Sequence, residues 1–253
     1  MRLTQRRTIQ VVAHRGASGH APETTMEAYR LALDMGADSV EADIHRLGDG
    51  TLVAMHDPDV RRTTNGSGKL SDLTLAELKT LDAGSWFNKR YPEKANPMFA
   101  GLTVPTLREI LELLRESAAG CCIEIKDPER YPPTLESELI SLVYECGMER
   151  RVRMLSFSAQ SIRKIKMLDR SIPTALLISK REKDPVDTAA NVPADELAIR
   201  HDLLTETIVH AARDHGISLA AWTADREKDM LRLIAQGVDR IITNYPDRLL
   251  RLL

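Results

Sequence analysis

The chain has 253 residues, with 35 Lys and Arg against 37 Asp and Glu, a formal net charge of −2. That balance leaves no basic excess to hold a nucleic-acid backbone. Its composition, 43% hydrophobic and 28% charged, excludes a disordered chain, a collagen and a disulfide scaffold, and no apolar run reaches the ~18 residues of a membrane span.

The N-terminal stretch MRLTQRRTIQVVAH is basic but has no long apolar core and no cleavage site, so no signal peptide is expected. Ile9 to His14 reads as a strand. Glu23 to Met35 is helical, with Met26, Tyr29, Ala32 and Leu33 on one face and Gly36 as the stop. Ser39 to Ile44 is a second strand. Gly48-Asp49-Gly50 is turn chemistry ahead of a β-run from Thr51 to Met55, which predicts a hairpin.

From Asp57 to Val104 the alternation breaks into Gly, Asn, Asp and Pro, with one helical piece near Leu75 to Leu81. A loop-rich segment of that length inside a compact domain is usually functional. The rhythm then resumes. Leu107, Ile110, Leu111 and Leu114 form a helix face, Cys121 to Ile125 a strand, and Leu135, Leu139, Leu142 and Val143 another helix face. Val152 to Phe157, Pro173 to Ile178, Glu196 to Ile199, Ile217 to Trp222 and Arg240 to Thr243 read as further strands.

Leaving the hairpin aside, eight strands alternate with helical or loop sequence over the whole chain. This predicts one α/β domain over residues 1–253, a closed (β/α)8 TIM barrel with its site at the C-terminal ends of the strands and an insertion at about 57–104 after the second strand. A doubly wound open sheet is the alternative, but no G-x-G-x-x-G follows the first strand and no P-loop occurs. The cysteines are Cys121, Cys122 and Cys146, an odd number with two sequence neighbours and no C-x-x-C, and read as reduced thiols of a cytoplasmic protein.

Polar residues gather where strands end. The first strand runs into His14-Arg15-Gly16, the second carries Glu41-Ala42-Asp43, the hairpin strand ends at His56-Asp57, and Glu124-Ile125-Lys126 closes the next strand. Alternation puts Glu41 and Asp43 on one face, and Glu124 with Lys126 on one face. Three carboxylates on the inner face of neighbouring strands would repel one another. A cation resolves that conflict, and all-oxygen ligands suit Mg²⁺ or Ca²⁺. Pairing of each carboxylate with a rim Arg or Lys is the competing explanation. His14 and His56 beside such a cluster suit a general acid and base, and Arg15 and Lys126 add charge for a phosphate.

These residues resemble the glycerophosphodiester phosphodiesterase family. The resemblance runs in order through His14-Arg15-Gly16, Pro22-Glu23-Thr24-Thr25, Glu41-Ala42-Asp43, Asp49-Gly50, His56-Asp57, Arg62-Thr63-Thr64-Asn65-Gly66, Glu124-Ile125-Lys126, Trp222-Thr223, Gly237-Val238-Asp239 and Thr243-Asn244-Tyr245-Pro246. It implies a (β/α)8 barrel, a bound Mg²⁺ or Ca²⁺, and hydrolysis of a soluble small-molecule glycerophosphodiester to sn-glycerol 3-phosphate and an alcohol. By the same resemblance Glu41, Asp43 and Glu124 fall on metal ligands, His14 and His56 on the acid/base pair, Arg15 and Lys126 on phosphate-binding positions, and 57–104 on an insertion that caps the barrel mouth; Trp222 is a further candidate for substrate contact. The chain departs from the family pattern at Thr24, where Asn is usual, at Leu47-Gly48, and at Ala224-Asp225, where Val-Asn often follows the Trp-Thr pair. A lysophospholipase D-type phosphodiesterase of the same superfamily and a non-catalytic phosphate-metabolite-binding barrel are the competing functions. No segment of the sequence calls for nucleic acid or stable membrane insertion, and the order in which the two His act stays open.

Overall fold

The structure, a computed structural model, describes residues 9–253. Residues 1–8 of the stretch read as lacking a signal peptide lie outside the described residues. Among the described residues nine strands form: β1 (Gln10–Ala13), β2 (Ser39–Arg46), β3 (Leu52–Ala54), β4 (Gly120–Ile125), β5 (Val152–Ser156), β6 (Thr174–Ile178), β7 (Glu196–Arg200), β8 (Ser218–Trp222) and β9 (Arg240–Thr243). Eight of them run parallel in the order β1-β9-β8-β7-β6-β5-β4-β2, and β1 pairs with β2 to close the barrel. The ninth, β3, lies antiparallel on the C-terminal end of β2, with Ile44 opposite Ala54, as the turn at Gly48 to Gly50 predicts.

Alternation along each strand divides the side chains between two cores. Val40, Ala42 and Ile44 of β2, with Cys121, Ile123 and Ile125 of β4, face the surrounding helices. The barrel interior is closed by a small layer, among it Val12, Cys122, Leu155, Ala198, Ala220 and Ile242. Counting two residues on from that layer along β1, β4, β8 and β9 reaches His14, Glu124, Trp222 and Asn244. Period two therefore delivers four polar or amphipathic side chains to one end of the barrel. The helix Leu107–Arg115 buries Leu107, Ile110, Leu111 and Leu114 as its spacing predicts, and starts with a capping box in which Thr106 and Glu109 satisfy each other's backbone N–H.

Segment 57–104 holds more structure than its composition suggests. Besides the helix Leu75–Leu78 it contains the helix Ser85–Arg90 and several single 3-10 turns. The Ser85–Arg90 helix escapes sequence reading because its start is capped from a distance of three residues: the Asp82 carboxylate accepts the N–H groups of Gly84 and Ser85, both at 2.8 Å. The segment is joined to the barrel by two clusters separate from the barrel cores, Leu70 and Leu78 packing with Leu47, Val53 and Met55, and Phe87 and Phe99 with Ala21 and Ala28. Among the described residues no helix is long and apolar enough to cross a membrane.

The opposite end of the barrel is plugged by charge. Glu196, at the start of β7 and 1% exposed, is paired with Arg240 of β9 and with Arg153 of β5, whose Nε lies 3.7 Å away. Breaking a buried ion pair leaves its partner uncompensated, a loss of about 3–5 kcal/mol. Glu196→Ala is expected to lower the free energy of unfolding by about 3 kcal/mol or more, measured by urea denaturation. A loss below about 1 kcal/mol, the range of exposed pairs, would show that the plug is not a structural element.

Candidate active site

Three carboxylates meet at the C-terminal end of the barrel. In the ladder between β2 and β4 Asp43 stands opposite Glu124, and Glu41 lies two residues back on the same face. One oxygen from each of the three lies within 4.8 Å of the other two. Glu41 and Asp43 are buried, at 2% and 1% exposure. Glu41 Oε2 accepts the backbone N–H of Arg15 at 3.0 Å, and Glu124 Oε1 accepts Lys126 Nζ at 2.7 Å. Arg15 Nε lies 2.9 Å from Asp43 Oδ2 and Lys126 Nζ lies 3.3 Å from Asp43 Oδ1. Neither approach has hydrogen-bond alignment, so both oxygens of Asp43 and Oε1 of Glu41 are buried without a donor.

The electrostatics follow from that crowding. Burial, then the charges of Asp43 and Glu124, push the Glu41 carboxyl well above its ordinary range. Burial and Asp43 likewise raise Glu124 to about 7. Burial opposes ionisation of Asp43 too, but Arg15 and Lys126 outweigh it and hold that carboxyl below its usual value. Rim pairing therefore accounts for part of the cluster and leaves part of it uncompensated. Two cations stand against three carboxylates, and the oxygens that lack donors converge. A hard divalent cation with oxygen ligands fits this arrangement.

Two histidines border the cluster, each held by its Nδ1. His14 Nδ1 donates to Asn244 Oδ1 at 2.7 Å, and its Nε2 lies 4.0 Å from Glu41 Oε2. Burial, then the neighbouring Arg15, lowers the His14 imidazole to about 4. His56 Nδ1 donates to Asp57 Oδ1 at 2.6 Å. Burial lowers His56 as well, against the raising effect of Asp43 and Asp57. The His56 backbone is fixed by His45, whose Nε2 lies 3.2 Å from the His56 carbonyl and therefore donates to it, leaving Nδ1 to accept from the Tyr131 hydroxyl at 2.6 Å.

Arg62, from segment 57–104, clamps two of these groups. Its guanidinium donates to Asp57 Oδ2 at 2.6 Å and to Glu23 Oε1 at 2.7 Å, and Glu23 Oε1 also accepts Arg15 Nη1 at 2.9 Å. Burial works against ionisation of Asp57, but the hydrogen bonds from Arg62 and His56 bring it down to about 2. A recess of about 270 Å³ opens beside His14 and Arg15 towards Trp86, Tyr91, Lys94 and Tyr245. Another, of about 290 Å³, opens beside Glu124 and Lys126 towards Phe157 and Ser158. Trp222 caps β8 with its indole N–H donated to Ala198 O at 2.9 Å and its ring edge-on to Phe157, so it approaches the second recess through that ring.

The candidate site residues named from the sequence, His14, Arg15, Glu41, Asp43, His56, Glu124, Lys126 and Trp222, thus lie at this end of the barrel. Sequence reading passes over His45, although it continues the period-two row of Glu41 and Asp43. It gives Arg62, Asp225 and Asn244 no role, because the contacts of Arg62 with Glu23 and of Asn244 with His14 span 39 and 230 residues.

The chain is similar to known proteins in sequence and fold. The model of the glycerophosphoryl diester phosphodiesterase family matches residues 14–248. A glycerophosphodiester phosphodiesterase of Bacillus subtilis strain 168 is 41% identical over 249 residues, covering 94% of this chain and 84% of that protein. One from Caldanaerobacter subterraneus subsp. tengcongensis is 38% identical, covering 96% of each. Among solved structures, an Oleispira antarctica phosphodiesterase in complex with the product sn-glycerol-3-phosphate superposes with a TM-score of 0.82 at 30% identity, over 96% of this chain and 95% of that one.

The carboxylate cluster has a consequence for stability. Glu41 and Glu124 bind protons more tightly folded than unfolded, so the stability that protonation contributes falls as pH rises from 4.5 towards about 7. The melting temperature of the metal-free parent relative to Glu124→Gln should fall between pH ~5 and pH ~7.5, while the lowered imidazoles of His14, His45 and His56, shared by both proteins, act in the opposite sense. Thermal melts in excess chelator check this; an unchanged slope in Glu124→Gln would show that the cluster does not control it.

Proposed function

The chain belongs to the glycerophosphoryl diester phosphodiesterase family and hydrolyses glycerophosphodiesters, and we propose that Glu41, Asp43 and Glu124 hold its divalent cation while His14 and His56 move the protons. The observation that carries this reading is the convergence of three carboxylates, two of them buried and partly without donors, between two Nδ1-anchored imidazoles. Mg²⁺ or Ca²⁺ suits the all-oxygen set. When bound, the cation supplies Lewis-acid polarisation of the phosphoryl oxygens and acidifies a coordinated hydroxyl or water.

The remaining steps belong to the chain's own side chains. Arg15 and Lys126 set positive charge beside the diester phosphate. The two His differ in what holds them. His14 leans on a neutral amide and is lowered to about 4, so its Nε2 is free to accept a proton from the nucleophile. His56 leans on a carboxylate, which stabilises its protonated form and suits it to protonate the departing alkoxide. Segment 57–104 acts as a cap within a single barrel domain: it brings Arg62 to Asp57 and Glu23, and Trp86, Tyr91 and Lys94 to the recess at His14. Phe157 walls the other recess, with the Trp222 ring packed against it. The products are sn-glycerol 3-phosphate and a free alcohol. A cytoplasmic place in glycerol and lipid metabolism accords with three buried, unpaired thiols.

Chelation is expected to abolish release of glycerol 3-phosphate, and Mg²⁺, Mn²⁺ or Ca²⁺ to restore it; full turnover in excess chelator by protein free of metal would refute the assignment. Each of His14→Ala and His56→Ala should cost about 10²–10⁴ in rate on a natural diester. A glycerophosphodiester with a 4-nitrophenolate leaving group should rescue His56→Ala far more than His14→Ala, because that group departs without a proton. Rescue in the reverse order would exchange the two roles.

A further inference from the structure

Asp225 follows β8 in the loop after Trp222, where its carboxylate reaches across to the end of β9. Its Oδ1 accepts the backbone N–H of Asn244 at 2.9 Å and the Thr243 hydroxyl at 3.1 Å, and its Oδ2 accepts Asn244 Nδ2 at 2.6 Å. An ionised carboxylate has acceptors only. Asn244 must therefore turn its NH₂ towards Asp225 and its carbonyl oxygen the other way. That oxygen meets His14 Nδ1 at 2.7 Å and Ser18 Oγ at 2.7 Å. An amide oxygen also has acceptors only, so His14 Nδ1 must carry the hydrogen, and in the neutral ring Nε2 keeps its lone pair. Nε2 is the nitrogen that faces the carboxylate cluster, 4.0 Å from Glu41 Oε2. The polarity of the chain is thus set by Asp225 and transmitted without a choice at either step.

We propose that Asp225 is a positioning residue that, through Asn244, locks His14 in the Nδ1–H tautomer and so keeps its Nε2 available as a proton acceptor. This rests on the reading of His14 as an acid/base group. An amide at position 225 removes the lock. If the oxygen of that amide faced the Asn244 NH₂, its own NH₂ would face the Asn244 backbone N–H, donor against donor. If it turned to accept that N–H, its NH₂ would face the Asn244 side chain and flip it. The flipped Asn244 amide would donate to His14 Nδ1 and place the ring hydrogen on Nε2, capping the base. Exchanging the two residues restores the order: a carboxylate at position 244 accepts both His14 Nδ1–H and the NH₂ of an amide at position 225, whose oxygen then accepts the backbone N–H.

The test compares Asp225→Asn with the double exchange Asp225→Asn/Asn244→Asp, alongside the parent and His14→Ala. On metal-free protein, ¹⁵N NMR of the imidazole reports which nitrogen of His14 carries the hydrogen. Asp225→Asn should shift His14 from Nδ1–H towards Nε2–H and lower kcat by about 10–100-fold, the usual scale for a group that orients another, with KM and metal affinity within about twofold of the parent. The double exchange should return both the Nδ1–H signature and most of kcat. Retention of the Nδ1–H signature and of kcat in Asp225→Asn would overturn the proposal, as would a folded double exchange that restores neither. Full activity of His14→Ala would instead overturn the reading of His14 on which the proposal rests, an outcome separable from the tautomer signal.

Discussion

Three carboxylates forced into one buried corner are the constraint around which this end of the barrel is organised. Their strands bring them there through ordinary alternation, and the fold then has to live with a concentration of negative charge largely withdrawn from water. Arg15 and Lys126 answer part of it from opposite sides, one from the loop after β1 and one from the end of β4. What they leave unanswered appears as raised carboxyls at Glu41 and Glu124 and as oxygens without donors. A corner so built is costly as protein structure alone, and the cost is sensible where a cation joins it.

The backbone shows what it takes to hold Arg15 in place. Its φ is 56°, in the left-handed region that a residue with a side chain occupies only under constraint. The turn sends its N–H to Glu41 and its guanidinium to Glu23 and the neighbourhood of Asp43. Gly16 completes the turn at φ 80°, pressed so close to the helix Met26–Asp34 that a Cβ would stand 2.5 Å from the carbonyl carbon of Ala28. The tripeptide His14-Arg15-Gly16 therefore has a separate reason for each member: an imidazole aimed inward, a cation folded back over the carboxylates, and a residue without a side chain under a helix.

Much of this was legible in the sequence because it follows from period two and from local turn chemistry. The strands, the hairpin and the positions of Glu41, Asp43 and Glu124 on inner faces need only alternation and a start point. His14, His56, Arg15 and Lys126 were legible because each directly follows, or lies within a residue or two of, a β-run. The helix Ser85–Arg90 was not, since its cap comes from Asp82 and its two aromatic residues give no clear period. Nor were the groups that hold His14. Asn244 meets His14 only because the barrel closes β9 against β1, Asp225 reaches Asn244 from the end of β8, and Arg62 meets Glu23 only because the insertion folds back over the rim. Closure is a property of the whole chain, and no local window contains it.

That closure is uneven. β1 and β9 pair along the full length of both, from Gln10 opposite Arg240 to Ala13 opposite Thr243. The ladders on either side are short: β1 meets β2 only at Val12–Ser39 and Ala13–Val40, and β9 meets β8 only at Ala220–Arg240 and Ala221–Ile241. The two strands that lead into His14 and Asn244 thus form a stave of their own, joined by a full ladder to each other and by shorter ladders to their neighbours. When the barrel breathes, the weak seams open first. Amide hydrogens at those seams should trade with solvent ahead of those between β1 and β9, while the histidine and the amide that orients it ride together on the same stave.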